Sequence, residues 1–303
     1  METVLSTSNL TKKYGTTLAA DNVCINVHRG DVYGLIGRNG AGKTTILKMI
    51  GGFIRPTKGT FSLFGREDID KCDALTKVGT LIESPGLHTS LSAYSNIEMK
   101  CICAGINYDE KYIMDLLELV GLSSVAHKKC GGFSLGMKQR LGIALALVGE
   151  PELLVLDEPI NGLDPQGIAE VRETLIHLHK ERGITIIISS HILEELSKIV
   201  TVYGIIDRGR IIKEITSEEL EHECTDRVEI AMDEAQKGME IITKLGYDAL
   251  LSDGKIEING ATDKTPEIIK ALCDASVPPR TVEIKGRSIE DFYFSLVGGE
   301  DRA

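Results

Sequence analysis

A glycine-rich segment that ends in lysine and threonine has the composition of a phosphate-binding loop. The segment is Gly37-Arg38-Asn39-Gly40-Ala41-Gly42-Lys43-Thr44-Thr45. Glycines let successive backbone N–H groups turn toward one anion at the start of a helix. In this spacing the lysine neutralises the outer phosphates, and the next hydroxyl can coordinate Mg²⁺. We therefore expect Lys43 to contact the phosphates of a nucleotide and Thr44 to contact the metal ion.

The residues on either side of this segment favour a phosphate site over the simpler alternative, a glycine-rich turn with a solvated lysine. An apolar run that ends at Ile36 predicts a strand before the segment. The spacing of Ile46, Leu47 and Ile50 predicts a helix after it. A strand, a loop and a helix in this order are the context that the motif requires.

A second apolar run ends in two carboxylates. The run Leu153–Leu156 is followed directly by Asp157 and Glu158. Ligands of open α/β sheets gather at the carboxyl ends of the strands. Asp157 would hold Mg²⁺ through its water shell, and Glu158 would polarise the attacking water as a general base. Alone, such a run is more often a strand end with solvated acids, but beside a phosphate loop the catalytic interpretation is favoured.

The elements that would position these residues alternate along the first two-thirds of the chain, as is typical of a mainly parallel sheet with crossover helices. The predicted strands are Val32–Ile36, Val78–Ile82, Leu153–Leu156, Ile184–Ser189 and Val202–Ile206. Alternating runs at Val4–Leu10 and Val23–Val27 predict an antiparallel layer. One helix has clear ends, with Asp164 as N-cap, Pro165 at its first position and Gly183 at its end.

Two further regions complete the predicted organisation. The pattern between Leu91 and Leu147 is helical without a strand, which predicts an inserted helical subdomain at about residues 84–150. From about Arg227, the order strand–helix–strand–strand–helix–strand predicts a ferredoxin-like domain, which a last helix at Ser288–Val297 follows. We place the domains at residues 1–222 and 223–303. The second domain carries no motif that indicates its role.

The composition limits the classes of function. The chain has 303 residues, of which 42% are hydrophobic and 26% charged, as in an ordinary globular protein. Its net charge of −11 argues against binding nucleic acid, whose backbone favours clustered Lys and Arg. The first residues lack a secretory signal, and no apolar run reaches the roughly 20 residues that span a bilayer. We expect a cytosolic chain with reduced cysteines, so any membrane role requires a partner with spanning segments.

Further motifs occur in order along the chain. They are Tyr14 in Lys12-Lys13-Tyr14-Gly15, the run Phe133-Ser134-Leu135-Gly136-Met137-Lys138-Gln139-Arg140, the run Asn161-Gly162-Leu163-Asp164-Pro165, and His191 in Ser189-Ser190-His191. In that order they resemble the adenine-stacking aromatic residue, the signature sequence, the D-loop and the switch histidine of the ABC ATPases. The resemblance extends from about Val4 to Lys213.

The resemblance implies a fold, an activity and partners. The fold is α/β: a P-loop ABC ATPase domain with a mainly parallel sheet, an antiparallel β layer and an inserted helical subdomain, followed by the C-terminal α+β ferredoxin-like domain. In that family two ATPase domains pair head to tail around two ATP molecules, as a homodimer or with a related subunit. They drive a separate transmembrane permease, which would hold this chain at the inner face of the cell membrane.

The resemblance also implies roles for individual residues. The expected ATP-binding residues are Tyr14, Gly37, Arg38, Asn39, Gly40, Ala41, Gly42, Lys43, Thr44, Thr45, Ser134, Gly136 and Asp164. The expected catalytic residues are Lys43, Glu158 and His191. The expected Mg²⁺ ligands are Thr44, Glu83 and Asp157. Each ATP would contact the phosphate loop of one subunit and the signature sequence of the other.

Two departures from the usual family pattern point to a subgroup. Leu135 and Met137 replace the usual Gly and Gln of the signature. Glu83 replaces a Gln that bridges Mg²⁺, water and the membrane partner, and an ionised carboxylate can coordinate Mg²⁺ but cannot donate a hydrogen bond. Both features resemble the exporters that confer self-protection against bacitracin and lantibiotics. This resemblance implies efflux of an amphipathic peptide, with a generic drug or lipid exporter as the alternative.

Two other classes of protein share part of this pattern. Soluble ABC ATPases that act on ribosomes or nucleic acid usually carry two cassettes or long coiled-coil insertions, whereas this chain has one cassette, no heptad run and an acidic balance. A P-loop kinase or GTPase does not need the motifs at Ser134 and His191. The sequence therefore favours ATP hydrolysis coupled to transport.

Overall fold

Two sheets form the first of the two units into which the chain divides. The computed structural model describes residues 2–67, 73–224, 226–252, 254–286 and 288–297, and the units are Met1–Ser217 and Glu218–Ala303. The strands of the first unit are β1 (Thr3–Tyr14), β2 (Thr17–Val23), β3 (Asn26–His28), β4 (Val32–Ile36), β5 (Lys58–Leu63), β6 (Val78–Leu81), β7 (Leu153–Asp157), β8 (Thr185–Ser190), β9 (Val202–Asp207) and β10 (Arg210–Thr216). Its helices are α1 (Lys43–Ile50), α2 (Ala93–Ala104), α3 (Glu110–Leu119), α4 (Leu135–Ala146), α5 (Pro165–Arg182) and α6 (Leu193–Leu196).

The larger sheet brings the ends of the apolar strands to one edge. Its strand order is β10-β9-β4-β8-β7-β6, and all neighbours are parallel except β10, which is antiparallel to β9. Residues of β4, β7 and β8 are buried along their whole length, as expected for parallel strands covered on both faces. In the sheet register Ile36 faces Ser190, and Asp157 faces Ser189. The segments that follow these strands therefore start side by side.

The antiparallel layer is confirmed, but the prediction of one strand at Val23–Val27 is wrong. The first half of β1 pairs with β3 and its second half with β2. Where the chain passes from β2 to β3, the Thr7 hydroxyl donates to the carbonyl oxygen of Val23 at 3.0 Å and accepts the N–H of Ile25 at 2.8 Å. These side-chain contacts interrupt the regular pairing, so the segment forms the end of β2 and the separate strand β3. The layer also includes β5, which the apolar pattern did not indicate.

The helical region is confirmed between residues 91 and 147, where α2, α3 and α4 follow one another without a strand. Each begins at a side-chain cap: Ser92, Asp109 and Ser134 accept the backbone N–H of the residue three positions later. The predicted caps of α5 are also confirmed, because Asp164 accepts the N–H of Gly167 and Gly183 ends the helix in a left-handed conformation. Among the residues described, no helix is both long and apolar enough to cross a membrane.

The second unit has the predicted order of elements. Helix α7 (Ser217–Glu223) begins at the last residue of the first unit, and the other elements are β11 (Arg227–Ala231), α8 (Ala235–Lys244), β12 (Ala249–Ser252), β13 (Lys255–Asn259), α9 (Thr265–Asp274), β14 (Thr281–Lys285) and α10 (Ile289–Val297). The sheet is antiparallel with the order β12-β13-β11-β14. Its core packs Val228 and Ile230 of β11 with Ile242 of α8 and Leu272 of α9. One sheet face thus supports both helices.

Candidate functional site

The loop between β4 and α1 is shaped by positions at which no side chain fits. A Cβ atom at Gly37 would lie 2.4 Å from the carbonyl oxygen of Ile206. At Gly42, where φ is +108°, a Cβ atom would lie 2.2 Å from the carbonyl oxygen of Ala19. Gly42 is also the N-cap of α1 and provides no side-chain cap. The first N–H groups of α1 therefore remain available to an anion, as in phosphate-binding loops.

A pocket of about 200 Å³ lies over this loop. It is lined by Ala19, Arg38, Asn39, Gly40, Gly42, Lys43, Thr44, Thr45 and Glu158. The Lys43 side chain is buried, and its Nζ donates to the carbonyl oxygen of Gly37 at 2.6 Å and lies 3.2 Å from Glu158 Oε1. A buried cation beside a helix N-terminus makes the pocket suitable for the outer phosphates of a nucleotide.

Asp157 ends β7 and contacts Thr44, which lines this pocket. Its Oδ2 accepts the hydroxyl of Thr44 at 2.8 Å, and its Oδ1 accepts the hydroxyl of Ser189 at 2.6 Å. Both oxygens of a buried carboxylate are therefore held by neutral hydroxyl groups. Two of the three predicted Mg²⁺ ligands, Thr44 and Asp157, lie in direct contact, although 113 positions separate them in the sequence.

Glu158 joins the phosphate side of the site to His191. Its Oε2 lies 2.8 Å from His191 Nδ1, an arrangement in which the imidazole donates when the carboxylate is ionised. Its Oε1 lies near Lys43. The φ angle of Glu158 is +49°, in the left-handed region that residues other than glycine rarely adopt. Its N–H donates to both the carbonyl oxygen and the hydroxyl of Ser189, at 3.2 and 3.0 Å.

The residues present fit a Mg²⁺ ion. Mg²⁺ takes oxygen ligands, keeps several waters and commonly binds through one or two protein groups together with substrate phosphates. Thr44 and Asp157 supply a hydroxyl and a carboxylate next to the phosphate pocket. Within the described ranges, no group of three or more His, Cys, Asp or Glu side chains is placed to hold a metal ion. A hydroxyl and a carboxylate beside a phosphate pocket are a donor set of the kind that binds Mg²⁺ together with substrate phosphates.

The other predicted site residues do not line this pocket in the single chain. Tyr14, at the end of β1, is half exposed and lies under the ammonium group of Lys12. Glu83 is exposed and pairs with Lys48 of α1 at 2.5 Å. Ser134 caps α4, Gly136 lies next to Gly167, and Asp164 caps α5. The structure brings together the phosphate loop, Asp157, Glu158 and His191, and leaves these five residues apart.

The sequence analysis missed three contributors to the site. Ser189 was named only as the last residue of a predicted strand and as part of the run that contains His191, and its contacts depend on β8 lying next to β7. Ala19 of β2 lines the pocket and faces Gly42, and no local pattern marks it. Gly209, in the turn between β9 and β10, donates its N–H to the carbonyl oxygen of Ala41 and accepts the N–H of Asp21, both at 2.8 Å. Through these two hydrogen bonds the turn links the phosphate loop to β2.

Comparison with known proteins agrees with this geometry. A family model described as "ABC transporter" matches residues 20–161, and one described as "AAA domain, putative AbiEii toxin, Type IV TA system" matches residues 130–197. The chain is 39% identical to the bacitracin transport ATP-binding protein BcrA of Bacillus licheniformis, over 99% of both chains. It is 46% identical to the lantibiotic transport ATP-binding protein SrtF of Streptococcus pyogenes, over 70% of this chain and 90% of that protein.

Solved structures extend the agreement to the fold. The dimeric, post-hydrolysis form of the ATP-binding cassette MJ0796, bound to ADP and Pi, is 25% identical, with a TM-score of 0.64 over 70% of this chain and 98% of that chain. The ADP form of the ATP-binding cassette MJ1267 is 27% identical, with a TM-score of 0.66 over 72% of this chain and 93% of that chain. These findings confirm the predicted family, fold class and ATPase activity. The chain belongs to the ABC transporter family, in which it is an ATP-binding and ATP-hydrolysing subunit.

Proposed function

We propose that this ATPase powers the export of peptide antibiotics or related amphipathic compounds through a separate permease. The observation that carries the proposal is the extent of the likeness to the bacitracin transport protein, which covers 99% of both chains and therefore includes the second unit. The identity to the lantibiotic transport protein supports the same class of substrate. Glu83 and the Ser134–Leu141 run, which resemble the same subgroup, agree with it.

ATP binds over the phosphate loop in this proposal. The outer phosphates lie against the loop N–H groups from Gly37 to Thr45 and against Lys43, which exchanges its contacts with Gly37 and Glu158 for the phosphates. Tyr14 stacks on the adenine. Its half-exposed ring at the end of β1 supports this role, because β1 and β2 form the hairpin that carries Ala19 to the pocket.

Hydrolysis depends on the carboxylates at the end of β7. Thr44 and Asp157 hold Mg²⁺, which when bound neutralises phosphate charge. Glu158 polarises the attacking water, and the contact between its Oε2 and His191 orients the carboxylate. His191 then hydrogen-bonds the γ-phosphate and responds to its loss. The proximity of Lys43, Glu158 and His191 in one chain supports these roles.

Glu83 would act on the metal from the face of α1 that carries Thr44. Its partner Lys48 follows Thr44 by four residues in α1, so both lie on the same face of that helix. The ion pair therefore keeps the Glu83 carboxylate on the face that carries Thr44. Release from Lys48 when nucleotide binds would let Glu83 approach the Mg²⁺ ion.

A second ATPase subunit completes each nucleotide site in this proposal. Ser134, Gly136 and Asp164 lie outside the pocket of their own chain, which is consistent with action on the ATP of a partner. Ser134 begins α4, whose N-terminal N–H groups can face a γ-phosphate. The dimeric form of the related cassette MJ0796 supports pairing.

The permease would dock beside Glu83. A groove of about 260 Å³ lies there and is lined by Thr80, Leu81, Ser84, Pro85, Gly86, His88, Asn96, Met99, Lys100, Cys103, Gly142 and Leu145. It lies between the end of β6 and the helices α2 and α4. A permease helix in this groove would move when the Glu83 segment moves, and would hold the chain at the inner face of the cell membrane.

We assign residues 1–222 to the ATPase domain and residues 223–303 to an accessory domain.

Purification of the tagged chain from gently solubilised membranes tests the proposal. A polytopic membrane protein recovered in near-equal amount is expected, and cells that lack either protein should become more sensitive to bacitracin or lantibiotics. Recovery with ribosomes or nucleic acid would instead indicate a soluble ABC ATPase. Recovery of the permease with unchanged peptide sensitivity would retain the transporter but exclude this class of substrate.

A further inference from the structure

Ser189 lies between the two carboxylates of the site. It belongs to β8, is 0% exposed and faces Asp157 in the sheet register. Its hydroxyl donates to Asp157 Oδ1 at 2.6 Å and accepts the N–H of Glu158 at 3.0 Å. One hydroxyl therefore contacts both the proposed metal-holding residue and the proposed water-polarising residue.

The direction of these hydrogen bonds follows from their chemistry. A backbone N–H only donates, and an ionised carboxylate only accepts. The Ser189 proton therefore points to Asp157, and a lone pair of the same oxygen points to Glu158. Alanine and valine can make neither hydrogen bond, whereas threonine keeps a hydroxyl that can make both.

Each hydrogen bond constrains a different part of the site. With Oδ1 held by Ser189, the Asp157 carboxylate presents Oδ2 to Thr44 on α1. The bond to the N–H of Glu158 supports a residue whose φ of +49° is unfavourable for a side chain other than glycine. Loss of the hydroxyl would free the orientation of Asp157 and leave Oδ1 buried without that donor.

We propose that Ser189 is a positioning residue for ATP hydrolysis, which orients Asp157 toward the metal ion and holds the backbone of Glu158. The inference rests on the proposed roles of Asp157 and Glu158. It assigns Ser189 no contact with ATP. Loss of its hydroxyl should therefore change the Mg²⁺-dependent part of ATP binding and the rate of turnover, but not the affinity for ATP alone.

The test compares Ser189→Ala with Thr185→Val in the full-length chain. Thr185 lies on the same strand, is also 0% exposed, and its hydroxyl accepts the N–H of Gly30 at the other end of β8. Turnover is measured with Mg²⁺ and ATP. ATP affinity is measured by calorimetry with and without Mg²⁺, with Glu158→Gln added to every chain to prevent hydrolysis.

Ser189→Ala should lower the turnover number about 10- to 100-fold and reduce the gain in ATP affinity from Mg²⁺ about 10-fold, the scale of losses at residues that orient metal ligands. Its ATP affinity without Mg²⁺ should match that of Thr185→Val. Equal turnover and an equal Mg²⁺-dependent gain in the two variants would overturn the inference.

Two further comparisons keep the outcome decisive. Threonine and valine side chains are almost equal in size. The difference between Ser189→Thr and Ser189→Val in turnover and in the Mg²⁺-dependent gain in ATP affinity therefore measures the effect of the hydroxyl, even if packing changes or the alanine variant fails to fold. Equal turnover and an equal gain in these two variants would overturn the inference. Asp157→Asn separates the two levels of proposal. If Asp157→Asn keeps the Mg²⁺-dependent gain, the proposed role of Asp157 fails; if it loses the gain while Ser189→Ala keeps it, only the inference about Ser189 fails.

Discussion

The two units of the chain each bury a carboxylate on a β-strand, but they compensate its charge differently. Asp157 in the first unit and Glu229 in the second are 6% and 5% exposed. The hydrogen bonds to Asp157 come from neutral hydroxyls. Glu229 instead contacts Lys285 at 2.7 Å, Lys255 at 3.3 Å and Arg227 at 3.4 Å.

The difference separates a binding role from a structural one. An ionised carboxylate in the protein interior costs free energy unless a cation compensates its charge. At Glu229 three protein cations provide that compensation, which also offsets repulsion from its cross-strand neighbours Glu257 and Glu283. At Asp157 the contacting hydroxyls orient the carboxylate but carry no charge, so a cation from solution fits there. The two carboxylates are about equally buried, but only the charge of Glu229 is compensated by protein cations. This difference supports a metal-binding role for Asp157.

Removing the cation of the phosphate pocket should have the largest effect. Lys43→Ala should weaken ATP binding by about 100-fold or more, because hydrogen bonds from a charged donor to the phosphates are lost. Turnover should become undetectable. Nucleotide titration checks the affinity, with Lys111→Ala, at an exposed position of α3, as the control. Unchanged affinity in Lys43→Ala would contradict the assignment of the loop and would make this lysine a structural cation like those around Glu229.

Removing the charge of Glu158 should separate binding from chemistry. Glu158→Gln should still bind ATP but turn over about 10²- to 10⁴-fold more slowly, the usual contribution of a general base. Because ATP then persists, the variant should accumulate as an ATP-held dimer on a sizing column. The matched control is Glu181→Gln, at an exposed position near the end of α5. A monomeric variant with normal turnover would show that Glu158 is not the base.

Removing the charge of Glu229 should affect stability and leave ATP binding intact. Glu229→Gln leaves three cations close together, and it should destabilise the second unit by about 1–2 kcal/mol, less than for a fully buried pair because the cations are partly exposed. Hydrogen exchange of β11 measures the loss, with Glu240→Gln on α8 as the control. Lower ATP affinity in this variant would contradict the separation of roles between the two carboxylates.

The pH dependence of the second unit should follow the same carboxylate. The hydrogen bond from Lys285 lowers the pKa of Glu229, burial acts in the opposite direction, and the hydrogen bond from Lys255 lowers the pKa further. Because the folded pKa lies below the unfolded value of about 4.3, the stabilisation is complete above that value and is lost as pH falls through the folded pKa. Hydrogen exchange across this range should show a smaller decrease for Glu229→Gln than for the parent chain. Equal decreases would assign the acid sensitivity to other groups.

Local sequence patterns predicted the features that depend on neighbouring residues. The phosphate loop follows from glycine spacing, and the predicted strands Val32–Ile36 and Leu153–Leu156 follow from continuous apolar runs of the kind that a parallel sheet covered on both faces buries. The ends of α5 follow from Asp164, Pro165 and Gly183, because capping acts within a few residues. The loop and Asp157 each come at the carboxyl end of one of these strands. If both strands lie in one parallel sheet, the two groups are therefore expected at the same edge of that sheet.

Features that depend on strand order and on contacts distant in sequence were not predictable in this way. Ser189 contacts Asp157 from 32 positions away, and only because β7 and β8 are neighbours. The Thr7 hydroxyl splits a predicted strand through contacts 16 and 18 positions distant. The pairing of Glu83 with Lys48 depends on where β6 ends relative to α1. A single sequence contains no signal for these pairings, since each partner is compatible with many others.

The smallest effect on catalysis should come from removing the second unit. Deletion of Asp226–Ala303 removes Glu229 and its cations but none of the residues that line the phosphate pocket. If the charge of Glu229 serves only its own unit, ATP turnover by the remaining chain should stay close to that of the full-length chain. Turnover and circular dichroism are measured together, with the full-length chain as the control. Complete loss of turnover with the first unit still folded would show that the second unit is part of the catalytic unit, and the contrast between the two carboxylates would then no longer separate catalysis from structure.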